Sequence, residues 1–406
     1  MRQDHGLPVN RLKSYAIVTG SYWAFMLTDG ALRMLVLLYF YNLGYSPVTL
    51  AFLFLFYEFF GMITNLMGGW LAQRKGLKYT LILGLSMQPI ALVALSLMNH
   101  NWAPLIAVPF VMTIQAVSGI SKDLTKMSSK TAVKFLVPAD KSSALFKWVA
   151  LLTGSKNTIK GLGFFVGGFL LQSVGFRHGL WMLAALIVVA LVPALTALPE
   201  TIGETKSRID FRKLFAISRQ LKLLSGARVF LFASRDIWFV VALPVYFSTF
   251  FGWSHAQVGG FMALWVIGYG IVQGSAPFVL KLWTKGKAPT GTTAAHVSML
   301  LALIMITIAL SFGLHFMPAL SITIGLIIFG IVFAINSSVH SFLVLDYARG
   351  DTAAANVGFY YMANATGRLM GTLLSGLLFQ LGGILWALIG SAVFLVTSYL
   401  ITARLK

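Results

Sequence analysis

The chain is 406 residues long, 58% hydrophobic and only 10% charged, with a mean hydropathy of +0.83. A soluble chain carries charge on roughly a quarter of its residues, so this composition excludes one and indicates a polytopic membrane protein. The absence of cysteine excludes disulfides and thiolate metal sites.

A span needs about 20 predominantly apolar residues. That measure predicts twelve helices. Six fall at 15–42, 48–72, 79–98, 103–124, 144–173 and 180–198, and six at 226–250, 256–282, 293–313, 319–345, 354–380 and 384–403. The expected organisation is an N-terminal six-helix bundle over 1–198, a basic cytoplasmic central loop over 199–225 and a C-terminal bundle over 226–406. No removable signal peptide is expected before the first span. The segment FRKLFAISRQLKLL inside the loop is amphipathic, and reads equally as a surface helix or as plain linker.

The net charge of +20 raises nucleic acid as a partner, and its distribution argues against that. Lys and Arg cluster in alternate loops, at Arg2–Lys13, Arg74–Lys78, Lys122–Lys147, Lys206–Lys222, Lys281–Lys287 and Arg404–Lys406. The intervening loops carry none except Arg177. This is the positive-inside pattern, with both termini cytoplasmic. The expected location is a bacterial inner membrane, the expected state a monomer, and no cofactor is called for.

Charges inside the spans come next. The first span holds Asp29 and Arg33 on one face, one turn apart. They form either a self-satisfied ion pair or a cation freed for substrate beside a protonatable acid. Glu58, in FLFLFYEFFG, has no basic residue within a turn, so its partner must come from another helix or its acidity must be weakened. The Lys122, Lys126, Lys130 and Lys134 stripe is either solvated at the headgroups or a funnel for anions.

The stretch KWVALLTGSKNTIKGLGFFVGG places Lys156, Lys160, Gly163 and Gly167 on one helix face, with Gly154, Gly161 and Gly168 opposite. The second face suits close packing, and the first offers two cations with room beside them. Arg235 and Asp236 are adjacent and point about 100° apart on a helix, so they are not expected to pair with each other. His340, among Asn336, Ser337, Ser338 and Ser341, is either cavity lining or a polar packing patch.

The halves repeat. Gly44 and Gly252 lie 208 residues apart, as do Gly163 and Gly371, Gly168 and Gly376, Gln172 and Gln380, Lys160 and Arg368, and Lys156 and Asn364. Parallel repeats of this kind place a substrate at their interface. The deep cations Arg33, Lys156, Lys160, Arg235 and Arg368 outnumber the acids Asp29, Glu58 and Asp236, which favours an anionic passenger. Asn157 and Asn364 are candidate polar contacts beside them. No metal spacing, nucleophile–base pair or phosphate loop is visible, so an enzyme is not expected.

GGWLAQRKGLK resembles the loop between the second and third helices of the major facilitator superfamily. Gly69, Arg74, Gly76 and Lys78 fit that gating motif, while Gln73 stands where the family usually has Asp. Gly154, Gly163, Gly167 and Gly168 match part of the fifth-helix antiporter motif, whose proline is missing. The resemblance implies an all-α membrane protein with twelve transmembrane helices in two pseudo-symmetric six-helix bundles, the major facilitator fold.

The stretches TGSYWAFMLTDGALRMLVL, GISKDLTKMSSK, WVALLTGSKNTIKGLGFF, ARVFLFASRDIWFVVALP and GWSHAQVGGFMALWVIGYGIVQ resemble the organoarsenical efflux permeases of the ArsJ type. That resemblance implies export of 1-arseno-3-phosphoglycerate and bacterial arsenate resistance. It also implies functional coupling to glyceraldehyde-3-phosphate dehydrogenase, which makes this ester when arsenate replaces phosphate. Nothing in the residue spacing itself indicates arsenic. An exchanger or importer of ordinary organic phosphates, and a membrane sensor or enzyme, are the alternatives.

Overall fold

The computed structural model describes residues 8–136, 142–199, 217–283, 288–347 and 353–405. Within them the chain is helical throughout, with no strand. The first half contains α1 (Pro8–Asn42), α2 (Pro47–Leu53), α3 (Leu55–Lys75), α4 (Leu77–Ser96), α5 (Pro104–Leu136), α6 (Ser142–Ser173) and α7 (Gly175–Ala197). The second contains α8 (Arg219–Phe239), α9 (Ala242–Phe250), α10 (His255–Trp283), α11 (Gly291–Gly313), α12 (Pro318–Tyr347) and α13 (Ala353–Thr402).

These elements give twelve spans. α2 and α3 form one span broken at Phe54, and α8 and α9 form another broken at Val240–Val241. α13 is two spans that turn at Gly382–Gly383, where Gly383 sits at φ 66°, a conformation that side-chain-bearing residues rarely adopt.

A break inside a span exposes backbone N–H groups that lipid cannot satisfy. At the α8–α9 break, Ser375 Oγ of α13 accepts from both Val241 N and Ala242 N at 3.1 Å. Ser46 caps α2 ahead of Pro47, its hydroxyl accepting from Thr49 N at 3.3 Å. Ser218 caps α8 in the same way through Leu221 N. The stretch 219–225, expected within the central loop, is therefore the first two turns of α8, with Leu221 and Leu224 buried. Residues 200–216 of that loop lie outside the described residues.

Large apolar side chains such as Ile90, Leu105, Val189, Leu264, Phe278 and Leu310 face outward, as a hydrocarbon surround permits. One apolar core runs through both halves, from Leu35 and Phe54 to Trp238, Phe329 and Leu388. The halves meet along α6 against α10 and along α2–α3 against α13. Glycines bring these backbones together. A Cβ at Gly168 would collide with the His255 carbonyl, and one at Gly376 with the Pro47 carbonyl. Both pairs are related by the 208-residue repeat, so the seam is itself two-fold.

Candidate functional site: a charged seam between the halves

α6 lies between α1 and α10. Gly161 and Gly168 pack against Ala263 and His255 of α10, as expected for the small-residue face. The opposite face differs from expectation. Gly163 and Gly167 do not leave room for a ligand, because the α1 backbone at Leu27 and Ala31 fills it. That close packing, shared by Gly30 under the Lys160 carbonyl, delivers Lys160 to the acid on α1. Lys160 Nζ donates to Asp29 Oδ2 at 2.5 Å, and Tyr57 OH donates to Asp29 Oδ1.

Asp29 therefore does not pair with Arg33 on its own helix. Arg33 turns to Glu58 of α3, with Nη2 to Oε1 at 2.7 Å. The same carboxylate oxygen takes Arg368 Nη2 from the other half at 2.5 Å. Glu58 is 1% exposed, so two guanidiniums from opposite halves offset one buried charge. Arg33 also lies over the rings of Phe54 and Tyr57, at 5.1 and 5.3 Å from their centroids.

Arg368 reaches further, with Nε 3.6 Å from Asp236 Oδ2. Asp236 is held on its other oxygen by Arg235, through Nε at 2.7 Å and Nη2 at 2.5 Å. The expectation that Arg235 and Asp236 would not pair is thus corrected. Their Cβ atoms diverge, but the long arginine stem bends over Phe232, Phe239 and Phe333 and reaches back to its neighbour.

The lysine stripe on α5 is also corrected. Lys122 is buried at 5% exposure, its ammonium 4.0 Å from the Tyr57 ring centroid and 3.5 Å from Asp123. Lys126 Nζ bonds Asp123 at 2.5 Å and Asn65 Oδ1 at 2.7 Å. Asp123, absent from the expected set, turns what read as a solvated stripe into an internal pair. The side chains of Lys130 and Lys134 lie outside the described residues.

Lys156 is half-buried on α6, one turn before Lys160. Asn157 Nδ2 crosses the seam to Gln273 Oε1 of α10 at 2.7 Å. Asn364 Oδ1 accepts from Nε of Arg228 at 2.9 Å. Arg228 is a deep cation that the sequence did not single out. With the seventh span taken to begin at 226, it sat at the membrane edge; α8 begins at Arg219 and carries it more than two turns inward.

Gly76 makes the α3–α4 turn at φ 85°, which explains a glycine there. Lys78 is buried at the start of α4, while the side chains of Gly69, Gln73 and Arg74 lie outside the described residues. His340 and Asn336 are fully buried on α12. Asn336 donates to Ser298 Oγ at 2.9 Å, and neither ring nitrogen of His340 has a partner among the described residues.

Among the described residues, six deep cations, Arg33, Lys122, Lys126, Lys160, Arg235 and Arg368, pair with the four carboxylates Asp29, Glu58, Asp123 and Asp236, and Arg228 is a further cation outside those pairs. The site keeps a positive surplus even with every acid engaged. A cleft beside Asp29 and Arg33, lined also by Leu32, Phe54, Tyr57 and Gln115, is too narrow for a small organic ion in this conformation.

At one end of the spans the seam is latched by pseudo-symmetric bonds. Val48 N donates to Gln380 Oε1 and Ala256 N to Gln172 Oε1, each at 3.3 Å. Tyr41 OH and Thr249 Oγ1, 208 residues apart, share a 2.9 Å hydrogen bond, and Asn42 meets His255 at 3.0 Å.

A paired-bundle fold with buried charge on the seam between its halves defines a transporter rather than an enzyme. The Major Facilitator Superfamily model matches residues 18–372, and the chain belongs to that superfamily. Solved structures with the same fold include the nucleoside transporter NupG (14% identity, 97% of this chain and 98% of that one, TM-score 0.71). A D-xylose–proton symporter is 15% identical over 98% of each chain, with a TM-score of 0.71. A POT family transporter in complex with a thioalcohol-conjugated peptide is 16% identical over 96% and 95%, again at 0.71. No curated protein sequence matches the chain.

Proposed function

We propose that this transporter exports an anionic organoarsenical, 1-arseno-3-phosphoglycerate, and so confers arsenate resistance. The observation that carries the anion part is the Glu58 carboxylate gripped by Arg33 and Arg368 from opposite halves. An oxyanion arriving at the seam finds arginine forks suited to bidentate capture, with Glu58 as the internal counter-anion that it displaces. The arsenical part rests on the resemblance of the charged stretches to the ArsJ-type permeases. Both halves, 1–198 and 226–406, contribute ligands, so rocking one against the other exposes the site alternately to each side.

The positive-inside pattern supports an orientation with the latched end, carrying Gln172 and Gln380, away from the cytoplasm and both termini on the cytoplasmic side of what we take to be a bacterial inner membrane. In that orientation this conformation is closed to the outside. Outward movement of negative charge is downhill by about 2.3 kcal/mol per charge per 100 mV in an inside-negative cell. Proton antiport through Asp29, Glu58 or Asp236 is the alternative drive. The protein works as a monomer, without cofactor, downstream of glyceraldehyde-3-phosphate dehydrogenase.

Everted vesicles supplied with arsenate, glyceraldehyde 3-phosphate, NAD and the dehydrogenase test this reading. They should accumulate arsenic only when all components and the transporter are present. Arsenic uptake that ignores the dehydrogenase, or that 3-phosphoglycerate suppresses as well as the ester does, rejects it. The second outcome favours an exchanger of ordinary organic phosphates, which the same cations would serve.

A further inference from the structure

Arg228 is 5% exposed on α8, and no carboxylate among the described residues lies within salt-bridge distance of it. Nε is spent on Asn364 Oδ1, and Nη1 makes a long 3.4 Å bond to the Ser337 carbonyl. Nη2 has no acceptor among the described residues. The guanidinium lies over Phe232 at 3.9 Å and Tyr360 at 5.1 Å. Ring faces orient a guanidinium, yet they do not replace the hydration that a buried charge has lost. One turn along α12 from Ser337 sits His340, fully buried with both ring nitrogens unpartnered, and the Ser337 hydroxyl is unpartnered as well. A buried cation and neighbouring unsatisfied polar groups together require an explanation.

The internal repeat supplies one. Asn364 occupies the place on α13 that Lys156 occupies on α6, and Arg368 the place of Lys160. In the first half the helix itself carries the cation at the upper position. In the second, an asparagine stands there and orients an arginine from α8. Each half thereby presents positive charge at two levels, four residues or about 6 Å of helix rise apart. On α8, Arg228 and Arg235 flank one ring, Phe232, at 3.9 and 4.9 Å, so both cations lie on one face of that helix.

We propose that Arg228, oriented by Asn364, is a second oxyanion site, which takes one end of a passenger whose other end lies at the Arg33–Arg368 level. The inference rests on the anion-transport reading and adds that the passenger has two anionic ends about one helical turn apart.

The test is equilibrium binding to the full-length protein in nanodiscs, with two probes free of arsenic: propane-1,3-bisphosphonate and propylphosphonate. The wild type should bind the bisphosphonate at least about tenfold more tightly, the gain expected of a charge-assisted hydrogen bond. Arg228→Gln should abolish that preference and leave propylphosphonate within about twofold. Arg228→Lys, which keeps the charge without the fork, should retain part of it. If Arg228→Gln does not fold, Asn364→Ala gives the same reading with the charge still present.

Equal affinity for both probes in the wild type, a preference unchanged in the variants, or equal weakening of both probes overturns the proposal. Loss of arsenic transport in vesicles with the Arg228-dependent preference intact would refute the arsenical passenger and leave the second site standing. Transport with no such preference would do the reverse.

Discussion

Arg368 of α13 and Glu58 of α3 are joined by a 2.5 Å charge-assisted hydrogen bond that ties the second half of the protein to the first. The residue that the repeat pairs with Arg368, Lys160, makes its 2.5 Å bond to Asp29 within its own half. Equivalent positions thus serve different ends: one secures α6 to α1, the other crosses the seam where the halves must part.

Glu58→Gln leaves Arg33 without its acid and Arg368 with only the longer 3.6 Å contact to Asp236. Breaking a buried pair from one side costs about 3–5 kcal/mol, so the detergent-solubilised variant should melt well below the wild type. Adding Arg368→Gln removes one stranded cation and should recover part of the loss, with a coupling of about 0.5–3 kcal/mol. Melting temperatures of the four proteins measure this directly; an unchanged Glu58→Gln midpoint would show that the bridge contributes nothing.

Lys160 has two roles that one substitution confounds. Lys160→Ala strands Asp29 at 3% exposure and should abolish export through instability, lost binding or both. The pair Asp29→Asn with Lys160→Met removes both charges and should restore the melting temperature while export stays at background. Export at the wild-type rate in that double variant would make Lys160 a structural ion-pair member only.

The latched end offers a conformational test, because the chain has no native cysteine to interfere. Gln172→Cys with Ala256→Cys, bridged by a short bis-maleimide, should fix the closed seam and reduce transport to background. Val48→Cys with Gln380→Cys should behave identically, since the two contacts are repeat mates at the same 3.3 Å. Full transport after verified cross-linking would show that this end need not open.

Gly163 and Gly167 are under backbone constraint, while Gly268 has open space around it. Gly163→Ala pushes a methyl into the Leu27 carbonyl and should cost about 1–3 kcal/mol, the range for overpacking. It should also spread α6 from α1 and loosen the Lys160–Asp29 bond. Gly268→Ala should melt within a degree or two of the wild type. Equal melting of the two alanine variants would mean that α1 yields readily.

Twelve spans and a duplicated architecture were legible in the chain, because lipid imposes a length and hydropathy on every span and the 208-residue repeat recurs in several helices. So was the presence of deep charge, since an ionised side chain inside an apolar run is conspicuous wherever it stands. The sequence also left Glu58 two possibilities, a weakened acidity or a partner from another helix, and the structure supplies the second.

What the chain order could not decide was which acid meets which base. Asp29 and Arg33 are one turn apart and looked like mates, yet close glycine packing brings Lys160 to one and the α3 crossing brings Glu58 to the other. Arg228 went unremarked because its span was taken to begin at 226, whereas the helix capped by Ser218 begins at Arg219; Lys122, read as part of a solvated stripe or an anion funnel, is enclosed by Tyr57 and Asp123. Hydropathy is additive along a sequence and survives being read one residue at a time. Ion pairing depends on a few ångströms between helices far apart in the chain, and only their packing sets that distance.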